Sequence, residues 1–191
     1  AGKSMVCEMF KVLGIPVFNA DDRAEALMAS DRAVMYSIRF FFRNEAYLPD
    51  GTPNKKFLAS QVFGDESKLA QINSIVHPAV AKDFERWVDL QKGGPYLIKE
   101  AALLVENGSY SDLDGLITVT APEKIRITRT LSRDAHRTEA DIRSIISKQL
   151  SEDEKVAKSN FVVVNDNRSL VIPQVLKIHE QLINQSRTGL V

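Results

Sequence analysis

The first predicted element is a helix with one apolar face. Its apolar residues recur at spacings of three and four, the period of an amphipathic helix, and they are Met5, Val6, Met9, Phe10 and Leu13. Gly14 supplies a stop signal, because glycine readily adopts the left-handed conformation that ends many helices. The short apolar run at residues 15–18 then predicts a strand that ends at Asn19-Ala20-Asp21. The chain therefore opens with a helix, a strand and an acidic residue at the carboxyl end of that strand.

The middle of the chain, from residue 31 to residue 92, is predicted to be entirely helical. Its apolar positions keep a helical period on both sides of a turn signal at residues 49–51. Asn54 and Asp65 each stand where they can cap a following helix. His77-Pro78 is expected to break one helix, with Pro78 starting the next, because proline is favoured in a first turn and disfavoured in an interior. The phenylalanines at 40–42 are assigned to packing, with a ligand surface as the alternative.

Strands and helices alternate in the rest of the chain. Three apolar runs predict strands, at residues 96–98, 116–119 and 161–164. Pro122 opens a helix between the last two strands. Two capping-box pairs predict short helices, Thr138 with Asp141 and Ser151 with Glu154, and an apolar-faced helix closes the chain. This alternation favours an α/β fold with a parallel sheet between helical layers, and 191 residues suit one domain with a helical insertion.

Composition excludes several classes of protein. Lys plus Arg and Asp plus Glu number 25 each, so a zero net charge argues against a protein that coats nucleic acid or binds membranes through a polybasic surface. No apolar run approaches the roughly 20 residues needed to span a bilayer. Cys7 is the single cysteine, so no intrachain disulfide can form. We expect a cytoplasmic protein with no nucleic-acid or membrane partner, in which Cys7 packs on the first helix, and a monomer is the simplest oligomeric state.

The first candidate chemistry is at Gly2-Lys3-Ser4, immediately before the first helix. These residues match the end of the phosphate loop Gly-x-x-x-x-Gly-Lys-Ser/Thr, whose first half is not in this sequence. In that loop the backbone N–H groups surround nucleotide phosphates, the lysine reaches the outer phosphates and the hydroxyl binds Mg²⁺. Ala1 to Ser4 are therefore predicted to bind a nucleotide. The alternative is a flexible Gly-Lys-Ser tail, which the helix, strand and acidic residue that follow make less favourable.

Arginines and one carboxylate complete the candidate site. Arg126, Arg129 and Arg133 share one face of the helix that Pro122 opens. This face is either solvated or bound to phosphates, and phosphate binding would use the delocalised fork of donors that arginine provides. Asp21 is the carboxylate best placed to orient or deprotonate a hydroxyl, with helix capping as its alternative role. Asp22 is the preferred cap.

The order of these motifs resembles the dephospho-coenzyme A kinases, over essentially the whole chain. The shared segments are Gly2-Lys3-Ser4, Asn19-Ala20-Asp21, Asn54-Lys55-Lys56-Phe57-Leu58 before Val62-Phe63, His77-Pro78, Leu103-Leu104-Val105-Glu106-Asn107, Arg129 with Arg133-Asp134, Gln149 with Lys155, and the strand that ends in Asn165. The resemblance implies a three-layer P-loop kinase fold with a parallel sheet. It also implies a core at about 1–30 and 93–191, a helical acceptor-binding insertion at about 31–92 and a helical lid at about 134–158.

The resemblance further implies a reaction and a set of roles. ATP would phosphorylate the ribose 3′-hydroxyl of dephospho-coenzyme A, with Mg²⁺, as the last step of coenzyme A synthesis. Asp21 would be the base. The ATP-binding residues would be Ala1, Gly2, Lys3, Ser4, Arg129, Arg133 and Asn165, of which Lys3 and Arg133 would also be catalytic and Asn165 would lie near the base. The acceptor-binding residues would be Asp21, His77, Leu103, Leu104 and Glu106, and Ser4 would bind the metal.

The chain departs from the family pattern at three positions. Asn19 replaces the first aspartate of an Asp-Ala-Asp triplet and cannot act as a base. Ala102 replaces the proline of Pro-Leu-Leu. Glu100 stands where aspartate is common, and a role in holding Mg²⁺ through water is the corresponding expectation. Two alternatives stay open: another small-molecule or nucleoside-monophosphate kinase on the same scaffold, and a nucleotide-binding switch without catalysis.

Overall fold

The computed structural model describes residues 1–91, 93–134 and 136–188. The helices are α1 (Lys3–Val12), α2 (Ala20–Ser30), α3 (Arg32–Phe42), α4 (Lys55–Val62), α5 (Glu66–Leu90), α6 (Glu123–Arg133), α7 (Glu139–Ser147), α8 (Glu152–Ala157) and α9 (Val171–Arg187), and Asn44–Ala46 forms a 3₁₀ turn. The strands are β1 (Val17–Asn19), β2 (Ile98–Glu100), β3 (Ile117–Thr120) and β4 (Phe161–Val164). The mixture of helices with parallel strands confirms the predicted α/β class.

Two compact units make up the described chain. The first contains Ala1–Val17 and the described residues from Gly94 onward, and the second contains the described part of Phe18–Gly93. Lys92, Ala135 and residues 189–191 fall within the expected domain limits but lie outside the described residues. Among the residues that the structure describes, no helix combines the length and the apolar character needed to cross a bilayer.

The core of the first unit is built on the parallel pair β3–β4. The register aligns Ile117 with Phe161 and Thr120 with Val164. Apolar side chains of α1, the segment after it, α9 and the two strands form one buried cluster: Val6, Phe10, Ile15, Val119, Val163, Val175 and Ile178. Burying these side chains against one another removes apolar surface from water. Each large side chain stabilises the fold by roughly 1.5–3 kcal/mol in this way. The apolar face predicted for α1 is therefore the face that packs, and Cys7 is buried beside it as expected.

Local stop signals fix the end of α1 and its connection to the sheet. Gly14 has φ +80°, and its N–H donates to the Lys11 carbonyl while the N–H of Ile15 donates to Phe10. The Ile98 N–H donates to the Pro16 carbonyl at 3.0 Å, so β2 begins beside the chain that enters β1. The strand expected at 96–98 lies at Ile98–Glu100 instead. The Ile98 pairing puts the extended residues two positions later than the apolar run indicates.

The short helix α8 is bonded to β3 near both of its ends. Glu152 accepts a hydrogen bond from Thr120 Oγ1 at 2.8 Å, and Thr118 Oγ1 shares one of 2.6 Å with Ser159, just beyond the helix. Both predicted capping boxes are present, at the starts of α7 and α8. These caps satisfy N–H groups that a helix of so few residues could not satisfy internally.

A single 25-residue helix, α5, dominates the second unit. The predicted break at His77-Pro78 is wrong, because α5 runs from Glu66 to Leu90 with Pro78 inside it. Proline removes one backbone hydrogen bond, but Val76 and Val80 lie four positions apart on the same face and are both buried. Continuous packing on either side of the proline outweighs the lost bond.

Polar residues cap the helices of the second unit. Asn54 accepts from the Phe57 N–H and Asp65 from the Lys68 N–H, which confirms both predicted caps. The expectation that Asp22 caps α2 is wrong. Asn19 is the cap, since its Oδ1 accepts from the N–H groups of Asp21 and Asp22 at 3.1 Å each. Position 19 therefore keeps a structural role that asparagine and aspartate can both perform.

The outer surface of α3 carries aromatic side chains. Of the three phenylalanines, Phe42 is buried, whereas Phe40 and Phe41 are 69% and 49% exposed. Packing therefore accounts for Phe42 alone. Between α3 and α4 the chain turns at Asp50-Gly51, as predicted, and an antiparallel bridge joins Tyr47 to Pro53. The expected run of helix from 31 to 92 is interrupted there.

Candidate functional site

Gly2, Lys3 and Ser4 lie at the amino end of α1. Gly2 is the N-cap residue, has φ +105° and provides no side-chain cap. The first intrahelical bond runs from the Val6 N–H to the Gly2 carbonyl, so the N–H groups before it have no acceptor inside the helix. Lys3 and Ser4 are exposed at this end. N–H groups without an acceptor inside the helix, the positive end of the helix dipole and an ammonium group together favour phosphate.

Ser4 contacts Glu100, which lies 96 positions further along the chain. The Ser4 hydroxyl donates to Glu100 Oε1 at 2.9 Å, because β2 ends at Glu100 and runs beside α1. Cys7, one turn after Ser4, lies close to the same carboxylate. Burial raises the pKa of the Cys7 thiol to about 12, and the negative charge of Glu100 acts in the same direction. Cys7 is therefore a neutral packing residue at pH 7, and Glu100 provides carboxylate oxygens next to the Ser4 hydroxyl.

Two of the predicted ATP-binding side chains contact the loop backbone. Asn165 Nδ2 donates to the Ala1 carbonyl at 2.8 Å, and Asn165 Oδ1 accepts from Arg129 at 3.1 Å. Arg129 also donates to the Ala1 carbonyl at 3.4 Å and to Asn167 at 2.5 Å. The φ of +105° at Gly2 strains any other residue there, and a Cβ would lie 2.5 Å from Asn165 Nδ2. The contact between Asn167 and Arg129 joins residues 38 positions apart, so it has no local signal in the sequence.

The three arginines of α6 have different surroundings. Arg126 is largely buried and its guanidinium pairs with Glu152 at 3.1 Å. Arg129 joins the network around the Ala1 carbonyl. Arg133 is exposed at the last turn of the helix. Beside Arg126 and Glu152 there is an open cleft of about 650 Å³, lined by the carboxyl end of β3 and the segment joining α7 to α8.

The predicted acceptor-binding residues of the first unit lie in an irregular segment after β2. Glu106 forms an ion pair with Lys155 of α8, with 2.8 Å between Oε1 and Nζ and side chains only 15% and 14% exposed. Leu103 is exposed and Leu104 is half-buried. The pair joins the irregular segment to α8. The acceptor-binding roles of these three residues stay predictions.

Asp21 and His77, the other predicted acceptor residues, belong to the second unit. Asp21 is exposed in the first turn of α2, and His77 is exposed in the middle of α5. Arg23, two positions after Asp21, holds this turn against α5. Its Nε and Nη2 donate to the two oxygens of Asp83 at 2.6 and 2.8 Å. Asp83 is 9% exposed in its side chain, and hydrogen bonds from Arg23 hold its pKa below the ordinary value.

The Arg23–Asp83 pair leads to a prediction about stability and pH. We expect Asp83→Asn to lower the free energy of unfolding at pH 7 by roughly 1–2 kcal/mol, a modest loss because Arg23 is half exposed. The native carboxyl has a depressed pKa, so between the two pKa values the unfolded state binds more protons. The wild-type advantage is therefore present above about pH 3.9, the ordinary carboxyl value, and is lost as the pH falls through the native value.

Urea unfolding at pH 7 and at a series of acidic pH values measures this difference. The control is Asp89→Asn, which removes the same charge from an exposed position of the same helix. It should change the free energy of unfolding by less than about 0.5 kcal/mol. Equal effects of the two substitutions, or a difference that persists in acid, would contradict a stabilising role for the pair.

Comparison with known proteins shows the family. The family model for dephospho-CoA kinase matches residues 1–170. A dephospho-CoA kinase of Bacteroides fragilis (strain YCH46) is 30% identical over 178 residues, which are 93% of this chain and 86% of the relative. The chain belongs to the dephospho-CoA kinase family. Another member, from Salinibacter ruber, is 36% identical over 168 residues, covering 87% of this chain and 84% of the relative. The predicted family and the expectation of a nucleotide-binding kinase enzyme of coenzyme A synthesis are thereby confirmed.

Solved structures agree with the dephospho-CoA kinase fold. The crystal structure of TT1252 from Thermus thermophilus superimposes with a TM-score of 0.83 at 24% identity, covering 94% of this chain and 91% of that one. A dephospho-CoA kinase from Campylobacter jejuni gives a TM-score of 0.69 at 22% identity, covering 96% and 92%. At these identities the likeness concerns the fold, and it confirms the predicted P-loop kinase architecture.

Proposed function

We propose that this protein transfers the γ-phosphate of ATP to the ribose 3′-hydroxyl of dephospho-coenzyme A. The observation that carries the proposal is the amino end of α1, where Lys3 and Ser4 are exposed and Ser4 bonds to Glu100, in a chain of this kinase family. A helix terminus of this kind attracts phosphate, and phosphoryl transfer depends mainly on alignment and on neutralising charge. Membership of the family supports dephospho-coenzyme A as the acceptor.

The chemistry of the side chains beside α1 fits Mg²⁺. Ser4 offers a hydroxyl oxygen, and Glu100, 2.9 Å away, offers a carboxylate. Oxygen ligands are those that Mg²⁺ prefers, and it commonly keeps several waters, so one hydroxyl and one water-linked carboxylate are sufficient protein donors. When bound with ATP, the ion would supply positive charge to the phosphate oxygens. We assign Ser4 to direct contact and Glu100 to contact through water.

Three basic side chains would neutralise the charge of the phosphates. The Lys3 ammonium would bind the outer phosphates of ATP from the amino end of α1. Arg129 and Arg133 would meet the charge that spreads over the transferred group, and arginine suits this task because its guanidinium donates several hydrogen bonds in fixed directions. Among these three residues, Lys3 and Arg133 are exposed, so they can meet a ligand without first breaking a buried contact.

Asp21 would accept the proton of the attacking 3′-hydroxyl. Asp21 is exposed in the first turn of α2, and Asn19 provides the cap of that helix. His77, Leu103, Leu104 and Glu106 would line the path of the acceptor. Glu106 would do so from within its pair with Lys155. Supply of coenzyme A to metabolism fits a cytoplasmic enzyme.

The test is an assay of the full-length protein with ATP, Mg²⁺ and dephospho-coenzyme A. We expect one ADP for each coenzyme A formed, with the new phosphate assigned to the 3′ position by its ³¹P–¹H couplings. AMP, CMP and UMP at the same concentration serve as control acceptors and should react at least about 100-fold more slowly, since their contacts with the acceptor site are incomplete. A faster reaction with a nucleoside monophosphate would favour another kinase activity. ATP binding without any phosphorylated acceptor would favour a nucleotide-controlled switch.

A further inference from the structure

Asn165 is held in a single orientation at the end of β4. Its backbone N–H donates to the Thr120 carbonyl at 2.9 Å, which extends the β3–β4 ladder by one residue. Its side chain is buried, with Nδ2 on the Ala1 carbonyl and Oδ1 on Arg129. An amide group has one end that donates and one that accepts. Because a carbonyl needs a donor and a guanidinium needs an acceptor, only this orientation satisfies both neighbours.

The bond from Asn165 fixes the direction of a peptide group in the phosphate loop. The Ala1 carbonyl and the Gly2 N–H belong to one planar trans peptide, in which the two groups point in opposite directions. Gly2 has φ +105° and no side chain, so its peptide can rotate at little steric cost. Drawing the Ala1 carbonyl towards Asn165 therefore directs the Gly2 N–H away from Asn165. Rotation of this peptide would lose the 2.8 Å bond and the weaker one from Arg129.

We propose that Asn165 is a positioning residue that locks the Ala1–Gly2 peptide so that the Gly2 N–H faces the phosphates of the nucleotide. Asn165 then acts on ATP through the loop backbone, without contacting the adenine base. The inference rests on the ATP-binding part of the proposed function and is independent of the identity of the acceptor. The same amide lies 2.5 Å from where a Cβ at position 2 would be, which adds to the strain that φ +105° imposes on any residue but glycine.

Asn165→Asp removes the lock with little change in shape. A carboxylate keeps the acceptor for Arg129 but places an oxygen against the Ala1 carbonyl oxygen, and two acceptors repel each other at this distance. We expect the Kd for ATP to rise about tenfold, the effect of losing one good hydrogen bond, while the KM for the acceptor stays within about twofold. Asn167→Asp is the matched control, since it adds the same charge beside Arg129 without reaching the Ala1 carbonyl. It should weaken ATP binding by less than about threefold.

Binding of inorganic tripolyphosphate and of GTP distinguishes a lock on the loop from a contact with the base. If Asn165 positions the loop, Asn165→Asp weakens tripolyphosphate by the same factor as ATP and leaves the preference for ATP over GTP unchanged. If Asn165 reads the base, tripolyphosphate binding stays at the wild-type value and the ATP:GTP ratio changes, which overturns the proposal. Asn165→Ala, which adds no charge, gives the same comparison if the aspartate variant does not fold.

These measurements separate the inference from the proposed function. If the wild-type protein binds ATP but does not phosphorylate dephospho-coenzyme A, the proposed reaction is contradicted and the positioning role of Asn165 is not. If the wild type is fully active and the Asn165→Asp variant binds ATP and tripolyphosphate normally, the positioning role is contradicted and the reaction is not.

Discussion

Asp21→Asn is expected to lower kcat for coenzyme A formation by about 10²–10⁴-fold, the range in which a positioned acid or base contributes to catalysis. The amide has nearly the shape of the carboxylate but cannot accept the proton of the 3′-hydroxyl. The fold should tolerate the change, because Asn19 caps α2 and the Asp21 side chain is exposed. Steady-state and single-turnover kinetics measure the loss, and calorimetry should give a Kd for ATP within about threefold of the wild-type value.

The neighbouring residue provides a matched control for Asp21. Asp22→Asn removes the same charge from the same helical turn, and the backbone N–H of each residue is bonded to Asn19. A general electrostatic effect of this turn would make the two variants equally slow. A base at position 21 predicts that the Asp22 variant keeps kcat within about threefold. An Asp21→Asn enzyme with normal turnover would remove the proposed proton acceptor.

Features that depend on residues three or four apart could be predicted from the sequence. The apolar face of α1, the caps at Asn54 and Asp65, and both capping boxes are of this kind. Each of them satisfies its hydrogen bonds or its burial within one or two helical turns, so the local pattern contains most of the physical cause. The strands at 117–120 and 161–164 were predictable for a similar reason, since a short apolar run between turn signals is typical of a buried strand.

The misplaced elements are those that distant contacts decide. Pro78 carries a strong local signal for a helix break, yet burial on both sides of it keeps α5 continuous. The extended residues of β2 begin at Ile98 because that residue pairs with Pro16, more than 80 positions earlier. Asn19 rather than Asp22 caps α2 because the helix begins at Ala20, three residues before the start that a cap at Asp22 would imply. Tertiary packing selects among local alternatives of similar energy.

The sequence identifies candidate site residues, but it does not identify the distant residues that they contact. Ser4 meets Glu100 across 96 positions, and Ala1 meets Asn165 across 164. Such pairs have no periodicity by which they could be recognised. The family resemblance names Asn165 as a nucleotide residue, but only the geometry shows its amide on a loop carbonyl. Asp21 and His77 lie in the second unit, and their functional roles stay predictions that kinetics must test.

Lys3→Ala is expected to reduce kcat/KM for ATP by about 10²–10³-fold, comparable to the loss of one preorganised group that stabilises developing charge. Lys3 is exposed in the first turn of α1, so the substitution removes little packing. A positive charge at the amino end of a helix is unfavourable for the helix dipole. The free energy of unfolding should therefore stay unchanged or rise slightly in the absence of nucleotide, while activity collapses.

This opposition between stability and activity tests the role of Lys3. If Lys3 had a structural role, Lys3→Ala would lower both stability and activity. If Lys3 binds phosphate, the substitution lowers activity alone. Lys11→Ala is the control on the same helix, because Lys11 lies in the last turn and pairs only with Glu8 among the contacts described, at 2.6 Å. It should keep kcat/KM for ATP near the wild-type value. Urea unfolding without nucleotide, together with initial rates at varied ATP, measures both quantities, and normal ATP kinetics in Lys3→Ala would contradict the assignment of a phosphate site to this end of α1.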